Sequence, residues 1–193
     1  MLVLVVALLL GLLVGFATGG RLTYLKSIHM RSAWLVPLAL AIQLIAFSRL
    51  RDTLGADLVV TGHLVSYALL LAFVVRNYRV PGLVLAGIGT GLNALAIMLN
   101  GGYMPASREA LTTAGVLYGG ETSNNSGIAD ASTRLSFLGD VFAVPQSVPL
   151  ANVFSVGDVL IAVGVAWLLA HAMRSPREAS PSAVPVDSNA DPL

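Results

Sequence analysis

The chain has 193 residues, 56% hydrophobic and only 11% charged, where an ordinary soluble domain would carry roughly 25% charge. A net charge of +1 with no basic cluster argues against a nucleic-acid surface built on phosphate neutralisation, and the lack of cysteine excludes disulfides, thiolate metal sites and cysteine nucleophiles. With a mean hydropathy of +0.81, the composition points to lipid as the solvent and to an all-α, polytopic membrane bundle.

Residues 2–18 form an uncharged apolar run, close to the ~20 residues a spanning helix needs. The basic residues Arg21, Lys26 and Arg31 follow this run instead of preceding it, which favours a retained helix over a cleaved signal peptide. Gly11, Gly15 and Gly19 recur every four residues and offer one smooth face for helix packing and self-association. The second predicted span covers 33–47, opened by Trp34 at interface depth, with Gln43 set to bond a neighbouring helix. The third covers 58–75, with His63 and Tyr67 on one face. The fourth covers 81–99, with Pro81 in its first turn, three glycines and Asn93 in its outer half. His29, His63 and His171 lie on separate segments without metal-ligand spacing, so neither metal nor cofactor is expected.

After NGGYMP at 100–105 comes the one long connection, 100–151. Ser107 is placed to cap a short helix, GGETSNNSG reads as a flexible loop, and TRLSFLGDVFAVP is too short to span and suits a segment against the bilayer face. The fifth predicted span is 152–173. The Pro- and Ser-rich remainder, 174–193, reads as a disordered tail. Seven Lys and Arg flank one set of span ends and four the other, which puts the N-terminus outside, the tail in the cytoplasm and the long connection outside an inner, cytoplasmic membrane.

Two acids stand out. Asp140 lies inside an apolar, proline-bounded run, and Asp158 lies at the mouth of the fifth span. An acid at membrane depth costs about 2.5–3.5 kcal/mol even on insertion scales, so such residues are functional candidates by default. If the turns at Pro145 and Pro149 fold the two together, repulsion splits their titration and one stays protonated near neutral pH, the arrangement of an aspartyl acid–base pair. The structural alternative for Asp158 is a capping box with Ser155, and for Asp140 a turn acid after Gly139. Asn100, Tyr103, Arg134, Asn152 and Ser155 are the candidate substrate-binding residues beside the two catalytic candidates.

NGGYMP, TRLSFLGDVFAVP and PLANVFSVGDVLIAVGV, in that order, resemble the signature blocks of a bacterial family of small polytopic membrane proteins of unknown function. Residues 137–170 are also remotely similar to the C-terminal half of lipoprotein signal peptidases. That resemblance implies Asp140 and Asp158 as a catalytic dyad and a membrane-anchored peptide or lipoprotein as substrate. Ser155 stands where that family has asparagine, Gly157 where it has alanine, and five predicted spans replace four. The functional expectation is therefore an aspartyl membrane hydrolase. A non-catalytic scaffold or partner-binding protein is the alternative, and a small transporter, with only Gln43, His63 and Asn93 available at depth, ranks last.

Overall fold

The computed structural model describes residues 2–46, 48, 51–118, 121–122 and 126–174. Helices dominate it: α1 (Leu2–Ala17), α2 (Leu35–Ala46), α3 (Arg51–Leu54), α4 (Ala56–Arg76), α5 (Leu83–Leu99), α6 (Arg108–Thr113) and α7 (Val156–Ala172). Between α5 and α7 lie six short strands, β1 (Met104–Ala106), β2 (Leu117–Tyr118), β3 (Glu121–Thr122), β4 (Ser126–Ile128), β5 (Phe142–Val144) and β6 (Asn152–Phe154). The all-α expectation is thus corrected in the long connection, which is a small mixed unit.

Of the five predicted spans, one is long and apolar enough to cross a membrane by length and composition, the 21-residue α4. α1, α2, α5 and α7 have 16, 12, 17 and 17 residues, short of the ~20 required. The last three lose length to local chain features. Residues 31–34 form a turn with Ser32 at φ 54°, so α2 starts at Leu35. Gly82, at φ 87°, takes the N-cap of α5, which leaves Pro81 outside the helix. Residues 152–154 leave the predicted fifth span to form β6.

Small residues set the helix packing. Gly11 lies against Ala166 and Gly15 against Met173, so α1 and α7 run parallel in close contact; Gly19 falls beyond the helix, where an added Cβ would meet nothing within 4 Å. Gly82 lies against Gly164, and Gly89 against Gly157, so α5 and α7 run antiparallel with backbones nearly touching. α4 packs against α5 and α2 against α4, giving the row α1, α7, α5, α4, α2. At one end, Asn77 donates to the Arg31 carbonyl at 2.8 Å and accepts from its N–H at 2.7 Å, clamping the first connection to the end of α4. Leu35, Phe73 and Leu83 form a buried cluster there.

The mixed unit covers the other end. β1 pairs with β4 in parallel, and β2 with β3 and β5 with β6 antiparallel, the last in register Ala143↔Val153. Ala106, Ala110, Leu111, Ala114 and Val153 form its core. A second cluster, Ala96, Ile97, Met104 and Leu138, seats it on α5. TRLSFLGDVFAVP is therefore built into this unit through a 3-10 turn at Ser136–Leu138, an isolated bridge at Asp140 and strand β5. Much of the GGETSNNSG loop, and the tail from 175 onward, lies outside the described residues; 121–122 and 126–128 are strand.

Candidate functional site

α7 begins with the capping box that its sequence spells. Ser155 Oγ accepts from the Asp158 N–H at 3.0 Å, and Asp158 Oδ2 accepts from the Ser155 N–H at 3.0 Å. A third residue closes the arrangement. Asn93 on α5 donates through Nδ2 to Asp158 Oδ1 at 2.8 Å, and Ser155 Oγ donates to Asn93 Oδ1 at 2.9 Å. Both oxygens of Asp158 thus accept hydrogen bonds, one from Asn93 and one from Ser155. Gly157 makes this possible: a Cβ there would run into Asn93 Oδ1 and the Gly89 carbonyl. That close approach accounts for glycine where the signal-peptidase pattern has alanine.

Asp140 comes from the opposite side, out of the mixed unit. Its N–H donates to the Pro105 carbonyl at 2.8 Å and its carbonyl accepts from the Ser107 N–H at 3.0 Å, so its backbone extends the edge of β1. Gly139 permits the approach, since a Cβ there would strike the Pro105 backbone. Ser107 caps α6, accepting from Ala110, so the acid is anchored where that helix starts. The side chain is buried, 7% exposed, and Oδ2 accepts from the Ser126 hydroxyl at 3.3 Å. Burial first, and the Asp158 charge second, push the Asp140 carboxyl up to about 7, with the Ser126 hydrogen bond acting in the other direction.

Both carboxyl groups line one cavity of about 370 Å³ between the helices and the mixed unit. Tyr67, Gln43, Asn93 and Asn152 supply its other polar walls, and α1 contributes Val3 and Leu4. Gln43 is tied down as its sequence suggests, donating to Ser66 Oγ on α4 at 2.9 Å. His63 is buried and packs against Tyr67 with ring centroids 5.2 Å apart. Among the described residues, no Lys, Arg or His side chain lines the cavity.

The other sequence-predicted binding residues divide. Asn152 lines the cavity, and Ser155 is fully buried and acts on Asp158 and Asn93. Asn100 and Tyr103 do not reach it; they line a separate cavity of about 320 Å³ on the far side of β1. Asn100 is a latch, donating to the Arg134 carbonyl and accepting from its N–H, both at 2.9 Å. Arg134 is exposed and contributes its backbone there. Asp130 is also exposed, folded into a turn with Ser132 and Thr133, whose hydrogen bonds hold its carboxyl below the usual range. Asn93 is the site residue that the sequence underplays: its polarity in an apolar helix is visible, but its partners lie 62 and 65 positions away. Among the described residues, no group of three or more His, Cys, Asp or Glu is placed to hold a metal ion.

These features define a helical protein with a cavity at its capped end that two carboxyl groups line. The chain belongs to the family of unknown function DUF5317, whose model matches residues 27–170. No curated protein and no solved structure matches it, so the resemblance of residues 137–170 to lipoprotein signal peptidases has no support from those comparisons.

Proposed function

We propose that this is a multi-pass protein of the bacterial cytoplasmic membrane, with its mixed unit outside, and that Asp140 and Asp158 form an aspartyl hydrolase site acting on a peptide or lipid-linked substrate at the outer face. The membrane reading is supported by large apolar side chains exposed on the outer faces of the row, among them Leu44 at 74%, Val75 at 70% and Leu13 at 64%. Such a surface is foreign to a soluble monomer. Helices shorter than the bilayer core are accommodated by local thinning and by their flanking turns. The basic connections around Arg21, Lys26, Arg31, Arg76 and Arg79 lie at the end opposite the cavity, as the positive-inside rule requires of a cytoplasmic face. Because the chain has no cysteine, single cysteines report the orientation directly. A membrane-impermeant maleimide added to intact cells should label Glu109→Cys and leave Lys26→Cys unlabelled; the reverse pattern rejects the orientation.

The hydrolase reading is carried by one observation: two carboxyl groups in unlike environments line the same cavity, one hydrogen-bonded by Asn93 of α5 and by Ser155 at its own helix start, the other buried and raised to about 7. Unlike environments are how paired acids divide into base and acid. Asp158 takes a proton from a water in the cavity as that water attacks a carbonyl carbon. Asp140, protonated, gives its proton to the carbonyl oxygen, and the intermediate collapses with the leaving nitrogen or oxygen carrying a proton away. Tyr67 and Asn152 offer neutral donors from the wall. Purified protein in liposomes, incubated with membrane-anchored peptides and acylated amides, should release products detected by mass spectrometry. The rate should fall above about pH 7, where Asp140 loses its proton, and vanish in Asp140→Asn and Asp158→Asn. Turnover retained in both variants rejects the acid pair.

A second reading is favoured by one specific observation: every hydrogen bond to the Asp158 carboxylate comes from Ser155 at its own helix start or from Asn93 on the adjoining helix. A non-catalytic scaffold needs no more than that. Under it, Asp158→Asn lowers stability, and a partner that co-purifies through the mixed unit is lost on loop substitution while both acid variants keep it.

A further inference from the structure

The five long helices form a row and not a closed ring. α1 packs on α7 and α2 packs on α4, while α1 and α2, the two ends of the row, make at most glancing contact. The part of α7 facing this gap carries Asp158, Ile161, Val165, Leu168 and Ala172, spaced three or four residues apart and therefore on one face. Asp158 and Ile161 line the acid cavity, and Val165, Leu168 and Ala172 line a second cavity of about 600 Å³. The side walls continue in step. On α1, Leu4 borders the first cavity and Leu8, one turn on, borders the second. On the other side, Gln43 near the end of α2 borders the first and Ala33, just before its start, the second. A groove floored by α7 therefore leads from the acids toward the opposite end of the molecule, over about 21 Å at the helical rise.

We infer that this groove holds one acyl chain of a neutral lipid or lipid-linked molecule taken sideways from the bilayer between α1 and α2, with its headgroup at the acid pair. The lining decides the occupant. Beyond Asp158 the floor and the α1 wall are aliphatic, with Ile161, Val165, Leu168, Leu4 and Leu8, which suits an acyl chain. Charge decides the head. Two carboxyl groups, with no Lys, Arg or His side chain among the described residues that line the acid cavity, disfavour a phosphate there, whereas Gln43, Tyr67, Asn93 and Asn152 suit hydroxyl or amide groups. The chain's position deepens the hydrolase reading, but its binding does not require that the acids react.

The test uses the full chain in phosphatidylcholine nanodiscs and a monoacylglycerol carrying a diazirine near its chain terminus. After irradiation, mass spectrometry should place the label on Leu8, Val165 and Leu168. Val165→Trp, and independently Leu8→Trp from the facing wall, should reduce it several-fold. The matching lysophosphatidic acid probe should label these positions weakly. Hydrolysis is read separately in the same nanodiscs, so labelling of Leu8, Val165 and Leu168 in the unsubstituted chain with no product formed strikes the reaction and leaves the groove standing. The inference is overturned by label scattered over outward residues such as Leu13 and Leu44, by equal labelling from the anionic probe, or by groove residues shielded in a contact between two copies of the chain.

Discussion

Asp140 makes the folded protein sensitive to pH in a direction opposite to most acids. Its carboxyl is raised from the ordinary 3.8 to about 7, first by burial and then by Asp158, so between those values the folded state holds a proton that the unfolded state has lost. Stability from this group is fully present below about pH 4 and declines as pH rises, levelling off once pH passes about 7. Moving one carboxyl from 3.8 to about 7 corresponds to about 4 kcal/mol between the two ends of the window. Thermal unfolding in detergent micelles from pH 4.5 to 8.5, at fixed ionic strength, should show the midpoint falling with pH. Asp140→Asn, neutral and of the same shape, should flatten that slope and be the more stable protein at pH 8.5. Asp158→Asn should keep most of the slope, because burial outranks the neighbouring charge. Equal slopes for the unsubstituted chain and Asp140→Asn would refute the reasoning. A slope abolished by Asp158→Asn would show that repulsion, and not burial, sets the carboxyl.

Gly157→Ala should cost about 1–3 kcal/mol by overpacking, since the new methyl meets Asn93 Oδ1 and the Gly89 carbonyl. Asn93→Ala should cost about 2–4 kcal/mol through a hydrogen bond to a carboxylate and one to a hydroxyl. The double variant should cost less than the two together, read by denaturant unfolding; strict additivity would show that the Ser155–Asn93–Asp158 group does not act as a unit. Asn100→Ala should leave helix-bundle unfolding nearly unchanged while speeding amide exchange around 133–138, because it frees the Arg134 backbone from the end of α5. Unchanged exchange there would argue against the latch.

What the sequence disclosed follows the range of the forces involved. Apolar runs announce their helices locally, and Ser155–Val156–Gly157–Asp158 announces its capping box within four residues. Helix limits are set by single backbone conformations, Ser32 and Gly82 with positive φ, which hydropathy windows cannot see. The mixed unit was hidden for another reason. Its strands are two or three residues long, and β1 finds its partner β4 some 22 positions away, so no alternation of polar and apolar residues has room to appear. Asp140 was legible as an acid out of place, but the carbonyl and N–H contacts with Pro105 and Ser107 that aim it belong to a bridge visible only in the fold.

The proposed acid pair rests on the asymmetry of the two acids. A purely structural acid at a helix start needs only its cap, and Asp158 would be complete with Ser155 alone. Asn93 adds a second donor from a different helix and in doing so fixes which way the carboxylate faces, toward the cavity. Asp140 is the reverse case: one oxygen takes a hydroxyl at 3.3 Å, a long contact for O–H···O, in a site too dry to ionise it readily. A structural role would have been met more cheaply by an asparagine or a serine at that position. Keeping an acid buried at its own energetic cost, in a cavity shared with a carboxylate held by Ser155 and Asn93, is what the proposed proton donor requires.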